Sequence, residues 1–242
     1  MSLILHCGAR QATREEIDAV PIPKATRSYQ PIGHGALSDM LIEAGERYLS
    51  DYSHYQTQYG LGRNGNQLFG IHTYRNGSTE IGLSIGFRNS YNKTIPASIA
   101  LGGSCIVCDN LLLTGDIIVS RKHSRFVERD LPEMITSAVL RARSAYRKIL
   151  VDAEQMRDIP VGDEEAYRLI GLLLGLATIS LRQAGVMLRE WRKPSHSEFQ
   201  PRTLWSLFNA GTEALKTSPP TKIMEKHLQL DRIFADQVEG LS

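Results

Sequence analysis

Two alternating runs joined by Arg75-Asn76-Gly77-Ser78 constrain this chain more than any other feature. Residues 67–74 and 79–87 each read as a strand, and Asn-Gly between them tolerates the positive φ of a tight hairpin turn. In the second run Ile81, Leu83, Ile85 and Phe87 alternate with Glu80, Gly82, Ser84 and Gly86. A period of two places the first set on a core-facing side. The other side is nearly bare, open to close approach by a helix, another backbone or a ligand. Further strands are predicted at 97–101 and 104–108, separated by Gly102-Gly103, and at 111–113 and 116–120. About five strands with short connections predict a mostly antiparallel meander.

From Asp130 the apolar period becomes helical. Asp130-Leu131-Pro132-Glu133 combines an N-cap acid, a proline near the first turn and an acid that can close a capping box. The predicted helix covers 130–157, with Ile135, Val139, Ala142, Tyr146, Ile149 and Ala153 as its buried stripe. Four more helices are expected at 163–174, 179–191, 203–215 and 221–238, punctuated by Pro160, Pro194, Pro201, Pro219 and Pro220. Upstream, Thr13-Arg14-Glu15-Glu16 is a capping-box start that Pro21 and Pro23 cut short. Ser38 is expected to cap a helix over 39–50. Tyr48, Tyr52, Tyr55 and Tyr59 would share one helical face if that helix continued. Packing on the sheet outweighs a base-stacking platform here, because Gly60 and Gly62 end the helix nearby. The fold class is therefore α+β: a mostly antiparallel sheet of about five strands in the first half and a helical second half. The expected organisation is an N-terminal arm (1–36), a β-rich α+β domain with the long helix (37–158) and a helical subdomain packed on it (159–242).

Several function classes are excluded or disfavoured. The N-terminal Met-Ser-Leu-Ile-Leu-His lacks the pattern of a secretory signal. The longest apolar stretch, 169–179, is shorter than the roughly 20 residues needed to span a bilayer. Cys7, Cys105 and Cys108 make an odd count, against a disulfide framework. These features predict a cytoplasmic protein with no membrane partner. Gly-x-x-x-x-Gly-Lys and His-x-x-x-His are absent, and Gly82-x-x-x-Gly86 lies within a strand, where it is a packing feature. Cys105 and Cys108 have metal-like spacing, but i and i+3 on a strand face opposite ways, so buried core cysteines are expected. Residues 179–192 superficially resemble a helix–turn–helix. Gly185 falls inside the second helix, and a bundle packing Leu181, Val186, Leu188 and Trp191 is the preferred reading.

The net charge of +2 conceals a local excess. Between Arg121 and Lys148 stand eight basic residues against Glu128, Asp130 and Glu133 only, enough for a local positive field. Arg121-Lys122-His123-Ser124-Arg125 at the end of the sheet leads into a helix bearing Arg141, Arg147 and Lys148. Such cations can track a phosphate backbone, while local pairing to Glu128 and Asp130 competes. The candidate nucleic-acid contacts are Arg88, Lys93, Arg121, Lys122, Arg125, Arg141 and Lys148. No catalytic residue, metal ligand or cofactor is assigned.

The order of several motifs is familiar. Ile85-Gly86-Phe87-Arg88-Asn89-Ser90, a strand ending Cys108-Asp109-Asn110, the basic Arg121–Arg125 run before a long helix, and Trp205-Ser206-Leu207-Phe208-Asn209-Ala210-Gly211-Thr212-Glu213-Ala214-Leu215-Lys216 occur in sequence. Over roughly 20–236 the chain resembles the phage- and plasmid-associated family catalogued as domain of unknown function 932. The resemblance implies a mobile-element setting in a bacterial host and names no catalytic residue. The first functional expectation is thus a non-enzymatic phage or plasmid protein that binds nucleic acid through a basic patch, in DNA processing or protection. The alternative is a protein-binding inhibitor of a host defence complex. A third reading is a metal-dependent nuclease using Asp109 and Asp116 with Glu80. Self-association is also expected, through exposed sheet edges and the bare Gly82/Ser84/Gly86 side.

Overall fold

Five strands neighbour one another in chain order because the connections between them are short, and a sixth, at the N-terminus, joins their edge across two helices. A computed structural model describes residues 9–77, 81–105, 111–219 and 222–240, with backbone only at 104, 105 and 111–118. The sheet comprises β1 (Arg10–Ala12), β2 (Ser53–Gly62), β3 (Gln67–Arg75), β4 (Ile81–Ser90), β5 (Ala97–Cys105) and β6 (Leu111–Arg121). All five pairings are antiparallel, in the order β1-β2-β3-β4-β5-β6. The helices are α1 (Arg14–Asp18), α2 (His34–Tyr48), α3 (Val127–Asp158), α4 (Asp163–Gly175), α5 (Leu181–Arg192), α6 (Leu204–Leu215) and α7 (Ile223–Gly240). The class is α+β, with six strands where about five were expected.

Three local differences have physical causes. The tyrosine-rich stretch is not helical: α2 ends at Tyr48 and the chain enters β2, where Tyr59 is buried and Tyr55 exposed. Packing on the sheet was the expectation there: Tyr59 is buried and Tyr48 and Tyr52 pack against the core, while Tyr55 does not. Gly102-Gly103 does not divide two strands. β5 runs through it, and a register shift against β6 between Ala100 and Gly102 absorbs the irregularity. Ser38 does not cap α2, which starts a turn earlier after Gly33. Its hydroxyl is fully buried and bonds to Tyr59 Oη at 2.8 Å. Gly77, by contrast, has φ +71°, the left-handed conformation the Asn-Gly step predicts. Thr13 and Glu16 form the predicted reciprocal cap of α1.

One side of the sheet carries Leu68, Tyr74, Leu83, Ile85, Phe87, Ile99 and Leu101, all buried. Leu37 and Leu41 of α2 and Ile135, Val139 and Ala142 of α3 close over it in a single cluster. That cluster continues into the helical half through Leu173, Met187, Trp191, Phe208, Leu230 and Phe234. Helix α3 is the shared element, packed on β5 and β6 and against α6. Each such apolar side chain contributes roughly 1.5–3 kcal/mol on burial. The bare side of β4 is not open to solvent: Gly82, Ser84 and Gly86 are buried. On that side Ile71 and Ala100 meet Ile223, Met224 and Leu228 at the start of α7.

Candidate nucleic-acid interface

The β6–α3 turn alternates between inside and outside. Arg121 closes β6, His123 points inward, and Lys122, Arg125 and Phe126 point out. The turn is tied by Val127 N–H donating to Ser124 C=O at 3.0 Å, and by Gln30 N–H donating to His123 C=O at 3.1 Å. Helix α3 begins at Val127, before the expected Asp130 cap. Asp130 instead receives Arg121 and, at 2.8 Å, Arg129. Those two guanidiniums hold its carboxyl below the ordinary range, with Arg129 the larger influence.

Phe126 is 39% exposed. The Arg125 guanidinium lies 4.4 Å from its ring centroid and that of Arg129 4.8 Å. Lys93 sits on the neighbouring β4–β5 loop with φ +62° and its ammonium 4.4 Å from the Tyr29 ring. Tyr29 in turn lies 5.9 Å from the His123 ring. Lys93, Lys122, Arg125 and Arg129 therefore lie at one end of the sheet, with Arg125 and Arg129 over the exposed Phe126 ring and Lys93 over the buried Tyr29 ring. Glu128, bonded by Gln30 at 2.8 Å, and Asp130 are the acids nearest in sequence to this turn.

The remaining expected contacts lie elsewhere. Arg88 is buried on the sheet and donates to Glu225 of α7 at 3.1 Å, so it pins the helix and does not meet solvent. Arg121 is half-covered and paired to Asp130. Arg141 and Lys148 are exposed on α3, but roughly 20 and 30 Å along its axis from Val127 at 1.5 Å per residue. The seven predicted cations thus do not form one surface. Three of them, Lys93, Lys122 and Arg125, come together. Phe126, Arg129 and Tyr29 complete that group and were not assigned from sequence. An aromatic with an arginine three residues after it at a helix start was the available signal, since i and i+3 are neighbours on a helix surface.

Behind the turn lies a buried polar chain. His123 Nε2–H donates to Asn89 Oδ1 at 2.6 Å. Asn89 Nδ2–H donates to Ile32 C=O at 2.8 Å and to His34 Nδ1 at 3.0 Å. Because an amide nitrogen can only donate, the His34 proton sits on Nε2 and is given to Gly65 C=O at 2.9 Å. That carbonyl belongs to a turn in which Arg63, Asn64 and Gly65 all have positive φ (51°, 55° and 84°). The His34 ring stacks on Tyr91 at 3.9 Å, and Tyr91 Oη accepts the His34 N–H. Burial lowers His34 to about 4 and also lowers His123. The imidazoles are held neutral, in keeping with donors and acceptors that are already matched.

A second chain joins His72 Nδ1 to Thr57 Oγ1 at 2.8 Å and His72 Nε2 to Ser38 Oγ at 3.3 Å. A hydroxyl beside an imidazole is the geometry of an activated nucleophile. Both residues are fully buried, and burial lowers His72 to about 3, making it a poor base. The pair is a satisfied interior network with no access for a substrate. For the nuclease reading, Asp109 and Glu80 lie outside the described residues, as does Cys108, and Asp116 and Cys105 are described by backbone alone. Among the described residues no group of three His, Cys, Asp or Glu is placed to hold a metal. No described helix is long and apolar enough to cross a membrane. Leu181, expected inside the bundle, is 77% exposed, while Trp191 is buried.

Comparison with protein-family models, with curated proteins and with solved structures finds no match to this chain.

Proposed function

We propose that the protein is a non-enzymatic nucleic-acid-binding protein that holds single-stranded or unstacked segments at the β6–α3 turn. The observation that carries this reading is Phe126, exposed and flanked by the Arg125 and Arg129 guanidiniums. A base can stack on the free part of the ring while the cations take the adjoining phosphates. Lys93 and Lys122 extend the positive edge along the strand path. Arg88 plays no part in this contact, and Arg141 and Lys148 touch only a strand long enough to follow α3. Sequence preference is weak, because nothing in the group reads base edges. The family resemblance makes mobile-element DNA the natural ligand.

Fluorescence anisotropy with short labelled single strands and duplexes, each titrated with salt, tests the proposal. Binding should favour single strands and weaken steeply as salt rises, with a log–log slope of about −2 to −3 for three or four phosphates. Phe126→Ala and Arg125→Ala should each weaken binding by roughly tenfold without altering the folded spectrum. No binding at low salt, or wild-type binding by both variants, would refute the reading.

A further inference from the structure

Four exposed leucines cluster at the hairpin of α4 and α5. Leu172, Leu174, Leu176 and Leu181 are 38%, 36%, 56% and 77% exposed. The two helices lie antiparallel: Trp191 Nε1–H donates to Asp163 Oδ1 at 2.9 Å, and Arg192 Nε–H to Tyr167 Oη at 3.3 Å. Their connection is closed tightly, with Thr178 N–H on Leu173 C=O at 2.9 Å and Ala177 at φ +53°. The leucines are therefore presented on a fixed tip.

Charge is distributed along this hairpin with a polarity. The first turn of α4 is acidic, with Asp163, Glu164 and Glu165. Asp163 is held by Arg202 and Glu165 by Arg168, while Glu164 is exposed. The tip is basic: Arg182 is exposed, Lys226 reaches it to bond Ala177 C=O, and residues 169–189 contain no acid. Between the two ends runs the outward line of α4, where Glu164, Arg168, Gly171 and Gly175 recur at helical spacing. Leu172 and Leu174 flank it. A Cβ added at Gly171, Gly175 or Gly185 would meet nothing within 4 Å. The chain's own packing thus gives no reason for glycine at these helical positions, where alanine is the better helix former. A second backbone approaching closely does.

We infer that this face docks a second copy of the chain, α4 antiparallel to α4 about a two-fold axis between Gly171 and Gly175. A two-fold contact is self-complementary. It brings each acidic first turn toward the partner's basic tip, encloses the leucines and lets the glycines set a short helix–helix distance. An anionic membrane would attract the tip and repel Asp163, Glu164 and Glu165, so it matches only one end. One hairpin offers less than the roughly 800 Å² per partner of a standard interface, and the dimer is accordingly weak, with a micromolar dissociation constant.

Sedimentation equilibrium of the full chain from low to high micromolar concentration tests this. A monomer–dimer equilibrium is expected, lost in Leu181→Glu. Gly171→Ala with Gly175→Ala should raise the denaturation midpoint of the monomer and weaken the dimer at least tenfold, opposite signs that misfolding cannot mimic. Glu164→Lys and Arg182→Glu should each weaken the dimer, and the two together should restore it. A chain that stays monomeric throughout, or a dimer indifferent to Leu181→Glu and to the glycine pair, overturns the inference. So does flotation with vesicles of anionic lipid in the absence of any dimer.

Discussion

His123 and Lys122 are neighbours in sequence and belong to two different environments. His123 is buried at the end of the Asn89–His34 chain, with its proton committed and its charge suppressed by desolvation. Lys122 faces water beside Arg125, Phe126 and Arg129, where charge costs little and is available to a ligand. The inner region specifies the shape of the turn, and the outer region presents it. Polar residues inside must be matched atom for atom, whereas outside they need only be near one another.

The difference can be broken most severely with acid. Unfolded imidazoles bind a proton near 6.5, but His34 only near 4 and His72 near 3. The unfolded chain therefore binds more protons below 6.5, and stability that is complete above that pH is lost as pH falls toward 4. Each of these two histidines carries roughly 3–5 kcal/mol of that dependence, together comparable with the roughly 5–15 kcal/mol of a typical domain. Urea midpoints should hold steady above pH 7 and collapse between 6.5 and 4. A midpoint that is flat down to pH 5 would mean that these rings are not held neutral.

A smaller break is Asn89→Ala. It strands His123 Nε2–H, His34 Nδ1 and Ile32 C=O, at a cost of roughly 3 kcal/mol in urea denaturation. A loss under about 1 kcal/mol would show that water replaces the amide. Glu225→Gln probes the buried arginine. The Arg88 side chain is 8% exposed but Glu225 50%, so the loss should be only about 1–2 kcal/mol. It should leave nucleic-acid binding unchanged, which separates Arg88 from Arg125. The smallest effect has the opposite sign. Gly185→Ala, on an exposed helical face with open space, should stabilise the monomer by about 0.5–1 kcal/mol. Thermal melts of dilute protein would register it, and destabilisation would mean that the glycine is needed within the chain.

Most of the architecture was legible because it rests on local rules. The β3–β4 hairpin, the α1 cap, the buried stripe of α3 and the four later helices follow from turn chemistry and periodicity. The misreadings occur where tertiary packing outbids a local signal. Ser38 could cap a helix, but the sheet offered its hydroxyl Tyr59 and His72. Asp130 could start α3, but Arg121 and Arg129 claimed its carboxylate. Gly102-Gly103 could end a strand, but β4 and β6 kept it paired.

By itself the sequence determined that the first half is a meander, the second half helical, and that cations concentrate around the junction. Only the folded chain decided which of those cations share a surface. Arg88 and Arg125 are chemically identical, and nothing within a few residues of either tells that one is covered by Glu225 of α7 while the other lies over Phe126. The same holds for His34, Asn89 and His123. Hydrogen bonds between residues 34 to 57 positions apart leave no periodic trace, because their partners are chosen by how the sheet and helices close upon one another.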